Sequence, residues 1–177
     1  MVDSRIVQLG FVVTDLRAAA MEWTRRFGIG PWFYWEHLGD RAYRFRGEAS
    51  APDLSTAMAD WNGIQIQLVE QHDDAPSPHR DWLASHGGAP GLNHLAVAVP
   101  DFEAEVARRS EAGETPLSEA GQPVNNVFYH WGDWNLPAIE LSERRPPSIV
   151  PRLYELVAEA ARDWDGSEPW RPMPELD

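Results

Sequence analysis

The chain of 177 residues has no cysteine, so disulfides, thiolate metal ligands and thiol nucleophiles are all excluded. Positive charge is also scarce: 15 Lys+Arg stand against 28 Asp+Glu, a formal net charge of −13. A nucleic-acid backbone or an anionic membrane surface wants the opposite balance. No apolar run approaches the length of a membrane span, and Met1-Val2-Asp3-Ser4-Arg5 carries no signal-peptide pattern. The expectation is a soluble, cytoplasmic protein with no nucleic-acid or membrane partner. A 43% apolar content over 177 residues is enough for one domain with a real core. Nine tryptophans are many for this length, and a cleft for an apolar or aromatic ligand would use some of them.

The chain says nearly the same thing twice. Val7-Gln8-Leu9-Gly10-Phe11-Val12-Val13-Thr14-Asp15-Leu16 returns as Asn93-His94-Leu95-Ala96-Val97-Ala98-Val99-Pro100-Asp101-Phe102, and Ile66-Gln67-Leu68-Val69-Glu70 returns as Ile139-Glu140-Leu141-Ser142-Glu143. The period is too long for a solenoid, which leaves one fold built from two copies of a module. Residues 5–13 alternate as a strand. Asp15 then caps a helix with Leu16, Ala19, Ala20, Trp23 and Phe27 on its apolar face, ended by Gly28 and Gly30. Pro31 to His37 is an aromatic strand, and 38–53 reads as a loop or lid. Residues 55–61 and 64–70 form a hairpin around Asn62-Gly63. A proline-rich linker over 71–78 and a short helix near 79–86 lead to the second copy. There a strand over 91–99 precedes a helix capped by Asp101, and strands follow near 115–120, 124–131 and 137–143.

This reading predicts an α+β fold: two βαβββ modules forming a curved, barrel-like mixed sheet around a central cleft. Residues 1–147 form one domain, with module one over 5–70 and module two over 91–143. Residues 148–177 add a C-terminal helix, with Ser148 as cap and Leu153, Leu156, Val157 and Ala160 on one face, and then a surface tail.

Strand periodicity gives the repeat its chemistry. Successive side chains point to opposite faces. Gln8 shares a face with Gly10 and Val12, Gln67 with Gln65 and Val69, and His94 with Ala96 and Ala98, while Glu140 opposes Ile139 and Leu141. If those faces converge, they present one imidazole, one carboxylate and two amides, a plausible oxygen-rich site for a divalent metal. Each residue alone has an ordinary explanation as a solvated or hydrogen-bonded strand residue. The case rests on all four holding repeat-equivalent positions.

Over residues 5–143 the chain resembles the vicinal oxygen chelate superfamily, which includes glyoxalase I, methylmalonyl-CoA epimerase, extradiol dioxygenases and bleomycin-resistance proteins. Ile64-Gln65-Ile66-Gln67-Leu68, Gly91-Leu92-Asn93-His94-Leu95-Ala96 and Ala138-Ile139-Glu140-Leu141 are closest to its epimerase-like branch. The resemblance implies metal ligands at Gln8, Gln67, His94 and Glu140, a divalent ion (Mg, Mn, Co, Ni or Zn), a small-molecule substrate and a homodimer. Gln8 resembles the glyoxalase type and Gln67 the epimerase type, so the set is a hybrid with one anionic ligand. Glyoxalase I has arginines at positions that are Val12 and Pro90 here, which argues against a glutathione substrate. The epimerases place a second carboxylate on the strand that is Leu54-Ser55-Thr56-Ala57-Met58-Ala59-Asp60 here, with no Glu and with Asp60 near its turn. Gln8 also breaks the ligand set of extradiol cleavage.

The implied function is a metal-dependent isomerase or lyase that transfers a proton beside the metal-bound carbonyl of a bulky hydrophobic or aromatic small molecule. Glu140 is the expected base. The alternatives are a protein of the same fold that sequesters such a molecule without turnover, and a copy that has lost its metal. His130, beside Trp131, either lines the cleft as a second catalytic group or caps a hairpin. Glu36 is either a desolvated acid or the exposed residue of an aromatic strand. Arg41, Arg44 and Arg46 either bind an anion or pair with local acids.

Overall fold

The computed structural model describes residues 4–39, 42–121, 124–130 and 136–176. Its first half contains β1 (Arg5–Val12), α1 (Leu16–Phe27), β2 (Trp32–Trp35), β3 (Tyr43–Phe45), β4 (Glu48–Ser50), β5 (Leu54–Trp61) and β6 (Ile64–Gln71). A connecting helix, α2 (Pro78–Ser85), leads to β7 (Gly91–Ala98), α3 (Phe102–Glu111), β8 (Ser118–Ala120), β9 (Asn126–Tyr129) and β10 (Ala138–Ser142). The chain closes with α4 (Val150–Ala161) and β11 (Trp170–Pro172).

The local signals act as read. The Asp15 carboxylate accepts the Ala18 N–H at 2.8 Å, and Asp101 repeats the cap on the Ala104 N–H at 3.0 Å. Gly28 ends α1 with φ 67°. Asn62 and Gly63 both take positive φ, 53° and 88°, and the Asp60 carboxylate accepts the Gly63 N–H at 3.0 Å. That two-residue turn sets the register of β5 against β6. Leu16 and Ala20 of α1 are buried against the sheet, whereas Phe27 is 55% exposed. It sits in the last turn and packs on Trp23 and Trp61 instead of entering the core.

The eleven strands among the described residues form one sheet in the order β11-β2-β5-β6-β1-β7-β10-β9-β8-β3-β4. Each module carries the same order, outward from its first strand: β1-β6-β5-β2 and β7-β10-β9-β8. The two first strands, β1 and β7, pair antiparallel at the centre. The sheet is curved and unclosed. Its two wings bend toward each other, so Trp35 and Leu38 on one side and Tyr43 and Ala120 on the other border the same cavity.

Two segments differ from expectation. Residues 38–53, read as a loop or lid, contain the β3–β4 hairpin, which pairs through β3 with β8 of the second module. The turn is Arg46-Gly47, both with positive φ, and Phe45 alternates inward to pack with Leu117, Phe128 and Ala138. The tail adds β11 to the free edge of β2, where Trp170 stacks on Tyr34 with centroids 4.5 Å apart. In α4, Leu153 and Val157 are buried with Phe33, Met58 and Met173, and Leu156 and Ala160 pack beside them. The Ser148 hydroxyl accepts the Val150 N–H at 3.2 Å, but the N-cap position of α4 falls on Ile149, one residue later than the expected Ser148. Among the described residues no helix is long and apolar enough to cross a membrane.

Candidate metal centre

The sheet register sets the site. One row across the central strands reads Gln67, Gly10, His94, Ala138, and the next reads Gln65, Gln8, Ala96, Glu140. Cross-strand partners share a face, as do residues two apart on one strand. Both rows therefore face the cavity, with polar groups separated by residues too small to fill the space between them. Gly10 has a specific role. A Cβ there would fall inside the His94 imidazole, so only glycine lets that ring lie across β1. The ring then reaches both module-one amides.

Three oxygens surround His94 Nε2: Gln8 Oε1 at 3.3 Å, Gln67 Oε1 at 3.1 Å and Glu140 Oε2 at 3.1 Å. Gln8, His94 and Glu140 are buried, and Gln67 is partly so. Neighbours fix how three of these groups are turned. Asn93 Nδ2 donates to the Pro78 carbonyl (3.2 Å), which turns Asn93 Oδ1 toward His94 Nδ1 at 3.1 Å. Nδ1 therefore carries the proton, and Nε2 presents a lone pair. Gln8 Nε2 donates to Gln65 Oε1 (2.5 Å), leaving Gln8 Oε1 pointed at His94. Asn126 Nδ2 (2.8 Å) and the Ser142 hydroxyl (2.7 Å) both donate to Glu140 Oε1, leaving Oε2 inward.

Four lone-pair atoms thus face one another in a largely buried site. A cation among them turns mutual repulsion into coordination, so the donor set fits a hard or borderline divalent ion. Among the described residues no group of three or more His, Cys, Asp and Glu side chains could hold a metal, so the amide oxygens are indispensable to such a centre. Burial raises the Glu140 carboxyl pKa, but hydrogen bonding within the cluster, from Asn126 and Ser142 among others, outweighs it and holds the pKa below its ordinary value.

The cavity holds about 90 Å³ of space open to water-sized molecules. Its polar wall includes Gln65, His79, Asn126, Ser142 and Tyr154, none of them singled out as site residues from sequence. Gln65 was legible, since it lies two residues before Gln67 on the same face. His79 was not, because docking of α2 places it. Burial pushes His79 down to about 3. Burial and the Glu140 charge push the Tyr154 phenol up. The apolar wall includes Trp35, Met58, Phe128, Val150 and Leu153.

Other sequence candidates lie elsewhere. His130 follows β9, is exposed and does not line the cavity. Glu36 is exposed at a cleft on the opposite side of the sheet. Arg44 donates to the Gly47 carbonyl and Arg46 pairs with Asp81, while Arg41 lies outside the described residues. Asp60 serves the β5–β6 turn.

Two outcomes follow from this geometry. Gly10→Ala should displace the His94 ring and lower affinity for Co(II) at least tenfold by isothermal titration; unchanged affinity would separate His94 from the ion. The second concerns pH. The unfolded chain protonates a histidine near pH 6.5, but folded His79 resists until about pH 3. The stability tied to neutral His79 is full above pH 6.5 and drains as pH falls, by at most about 1.4 kcal/mol per pH unit. A bound cation pushes in the same direction. Chemical denaturation should show a shallower acid loss in His79→Phe than in the wild type; parallel curves would contradict this.

Comparison with known proteins agrees with the fold. A profile of the Glyoxalase/Bleomycin resistance protein/Dioxygenase superfamily matches residues 7–148. Curated protein sequences give no match. A methylmalonyl-CoA epimerase from Mycobacterium tuberculosis superposes with a TM-score of 0.53 at 23% identity, covering 80% of this chain and 88% of its own. A selenomethionine methylmalonyl-CoA epimerase gives 0.52 at 22%, covering 79% and 94%. A hypothetical protein from Bacillus halodurans C-125 gives 0.56 at 17%, covering 81% and 96%. At these identities the likeness speaks for the fold, and the profile match over most of the chain speaks for the family. The chain belongs to the Glyoxalase/Bleomycin resistance protein/Dioxygenase superfamily.

Proposed function

We propose that this protein is a divalent-metal-dependent isomerase or lyase that moves a proton beside the carbonyl of a small, largely apolar molecule. The observation that carries this reading is the convergence of Gln8, Gln67 and Glu140 oxygens on His94 Nε2 inside a cavity. The ion, when bound, supplies a Lewis acid that polarises the carbonyl and stabilises enolate charge. Gln8, Gln67, His94 and Glu140 would hold it. With Glu140 as its one anionic ligand, the centre keeps a net positive charge, which favours developing negative charge on oxygen.

Glu140 is the base in this reading. Asn126 and Ser142 hold Oε1, so Oε2 would have to leave the ion to take the proton from the carbon next to the carbonyl. Returning the proton to a different carbon gives isomerisation, and loss of a leaving group from the next carbon gives elimination. Two-face epimerisation is disfavoured. Among the described residues lining the cavity Glu140 is the one carboxylate, and β5 offers Thr56 and Met58 there. The chain has no lysine, so a Schiff base is excluded as the electron sink.

The cavity narrows the substrate. About 90 Å³ is below the roughly 150 Å³ of a cavity that takes a benzene ring. Val150, Leu153 and Tyr154 of α4 close one side. That wall supports a compact carbonyl compound, and a bulky aromatic one would require α4 to move. A second copy of this chain remains the expected protein partner, on family resemblance.

The test is deuterium exchange. Protein loaded in turn with Mn, Co, Ni, Zn or Mg is incubated with compact ketones and aldehydes in deuterated water. Deuterium should enter next to the carbonyl, and Glu140→Gln should reduce the rate at least a hundredfold, with its metal content measured in parallel. Undiminished exchange in that variant would move the base elsewhere. A ligand that binds without exchange would favour sequestration over catalysis.

A further inference from the structure

The cavity contains a second polar pole that the proposed chemistry leaves unused. His79 is the second residue of α2, the helix that joins the modules. Its backbone is pinned on both sides: the Pro78 carbonyl accepts from Asn93, and the Ser77 hydroxyl caps the helix at the Arg80 N–H (3.0 Å) while donating to Gln71 Oε1 (2.5 Å). The imidazole is carried into the cavity wall, where it is 6% exposed. It meets the rings of His94 and Phe128 edge to face, each at 6.3 Å between centroids. It makes no hydrogen bond to any described residue, and its Nδ1 is buried without a partner. Gln65 Nε2, on the wall of the same cavity, is buried without a partner as well.

Buried polar atoms left unpaired are rare, and two in one cavity call for a common explanation. Neither is a free rotor. Gln65 Oε1 is taken by Gln8 Nε2, which leaves the Gln65 N–H group to donate. A neutral imidazole offers one N–H and one lone pair. The wall therefore presents donors and one acceptor, and among the described residues lining it there is no arginine. A carboxylate or phosphate would find no counter-charge at this pole. A hydroxyl, which both gives and accepts a hydrogen bond, matches an imidazole directly.

The geometry points to His79 as a substrate-positioning residue that hydrogen-bonds an uncharged second oxygen of the substrate, with Gln65 Nε2 as an additional donor. The substrate class is then a compact, neutral hydroxy-carbonyl compound: its carbonyl oxygen faces Gln8, Gln67, His94 and Glu140, and its hydroxyl faces His79. This rests on the proposed metal reading.

The experiment uses two probes, hydroxyacetone and acetone, which differ in that hydroxyl. Binding to the Co(II)-loaded full chain is followed by the visible cobalt spectrum. In the wild type, hydroxyacetone should bind at least tenfold tighter than acetone. In His79→Phe the preference should fall below threefold, while Co(II) affinity changes less than threefold. A preference that persists in His79→Phe means the ion chelates both oxygens, and it overturns the role of His79 while leaving the metal reading intact. Failure of the wild type to bind Co(II) overturns both. If His79→Phe does not fold, the Zn(II)-loaded wild type with nitrogen-15-labelled histidine decides. A His79 ring nitrogen should shift with hydroxyacetone and stay in place with acetone; equal response to both, or none, overturns the assignment.

Discussion

The four inward-facing lone pairs at His94 Nε2 are the constraint around which the rest of the molecule is arranged. Three of the four side chains have their other polar atom tied down: His94 Nδ1 by Asn93, Gln8 Nε2 by Gln65 and Glu140 Oε1 by Asn126 and Ser142. These ties determine which atom of His94, Gln8 and Glu140 faces the centre. Without them an amide would rotate and offer its NH₂ to the carboxylate, and the site would collapse into a neutral hydrogen-bond network. The bare Cα of Gly10 completes the arrangement by letting the imidazole lie over β1.

Duplication explains how such a centre arises from short strands. Neither module contributes all four of these side chains; each supplies one from its first strand and one from its last. Antiparallel pairing of β1 with β7 brings the halves into register, and parallel pairing with β6 and β10 lays the last strands outside them. The wings then curl until β3, from the first half, joins β8 of the second. Elements outside the repeat finish the cavity: α2 inserts His79, and α4, which lies beyond the matched family region, adds Val150, Leu153 and Tyr154. The common scaffold thus builds the centre, while the additions shape what can reach it.

What was legible in the chain were features with a fixed local period or a fixed local chemistry. Two-residue alternation placed Gln8, Gln67, His94 and Glu140 on one face, the Asp15 and Asp101 caps marked both helices, and Asn62-Gly63 marked the hairpin. What was missed depends on partners distant in sequence. The strand character of Tyr43-Arg44-Phe45 is short, and its partner lies in the other module. His79 is defined by where α2 docks, which no local pattern encodes. His130 follows the alternation of Asn126 and Phe128, but β9 ends at Tyr129 and the side chain is exposed. Phe27 fits the apolar period of α1, yet it lies in the last turn against Trp61, where the period no longer implies burial.

The central claim is that these four side chains form one cation site, and anomalous X-ray scattering from crystals equilibrated with Co(II) tests it most directly. The account predicts one ion in the cavity, about 2.0–2.3 Å from Gln8 Oε1, Gln67 Oε1, His94 Nε2 and Glu140 Oε2. An ion bound only by other residues, or none at saturating Co(II) with the four side chains still in contact with one another, would contradict it.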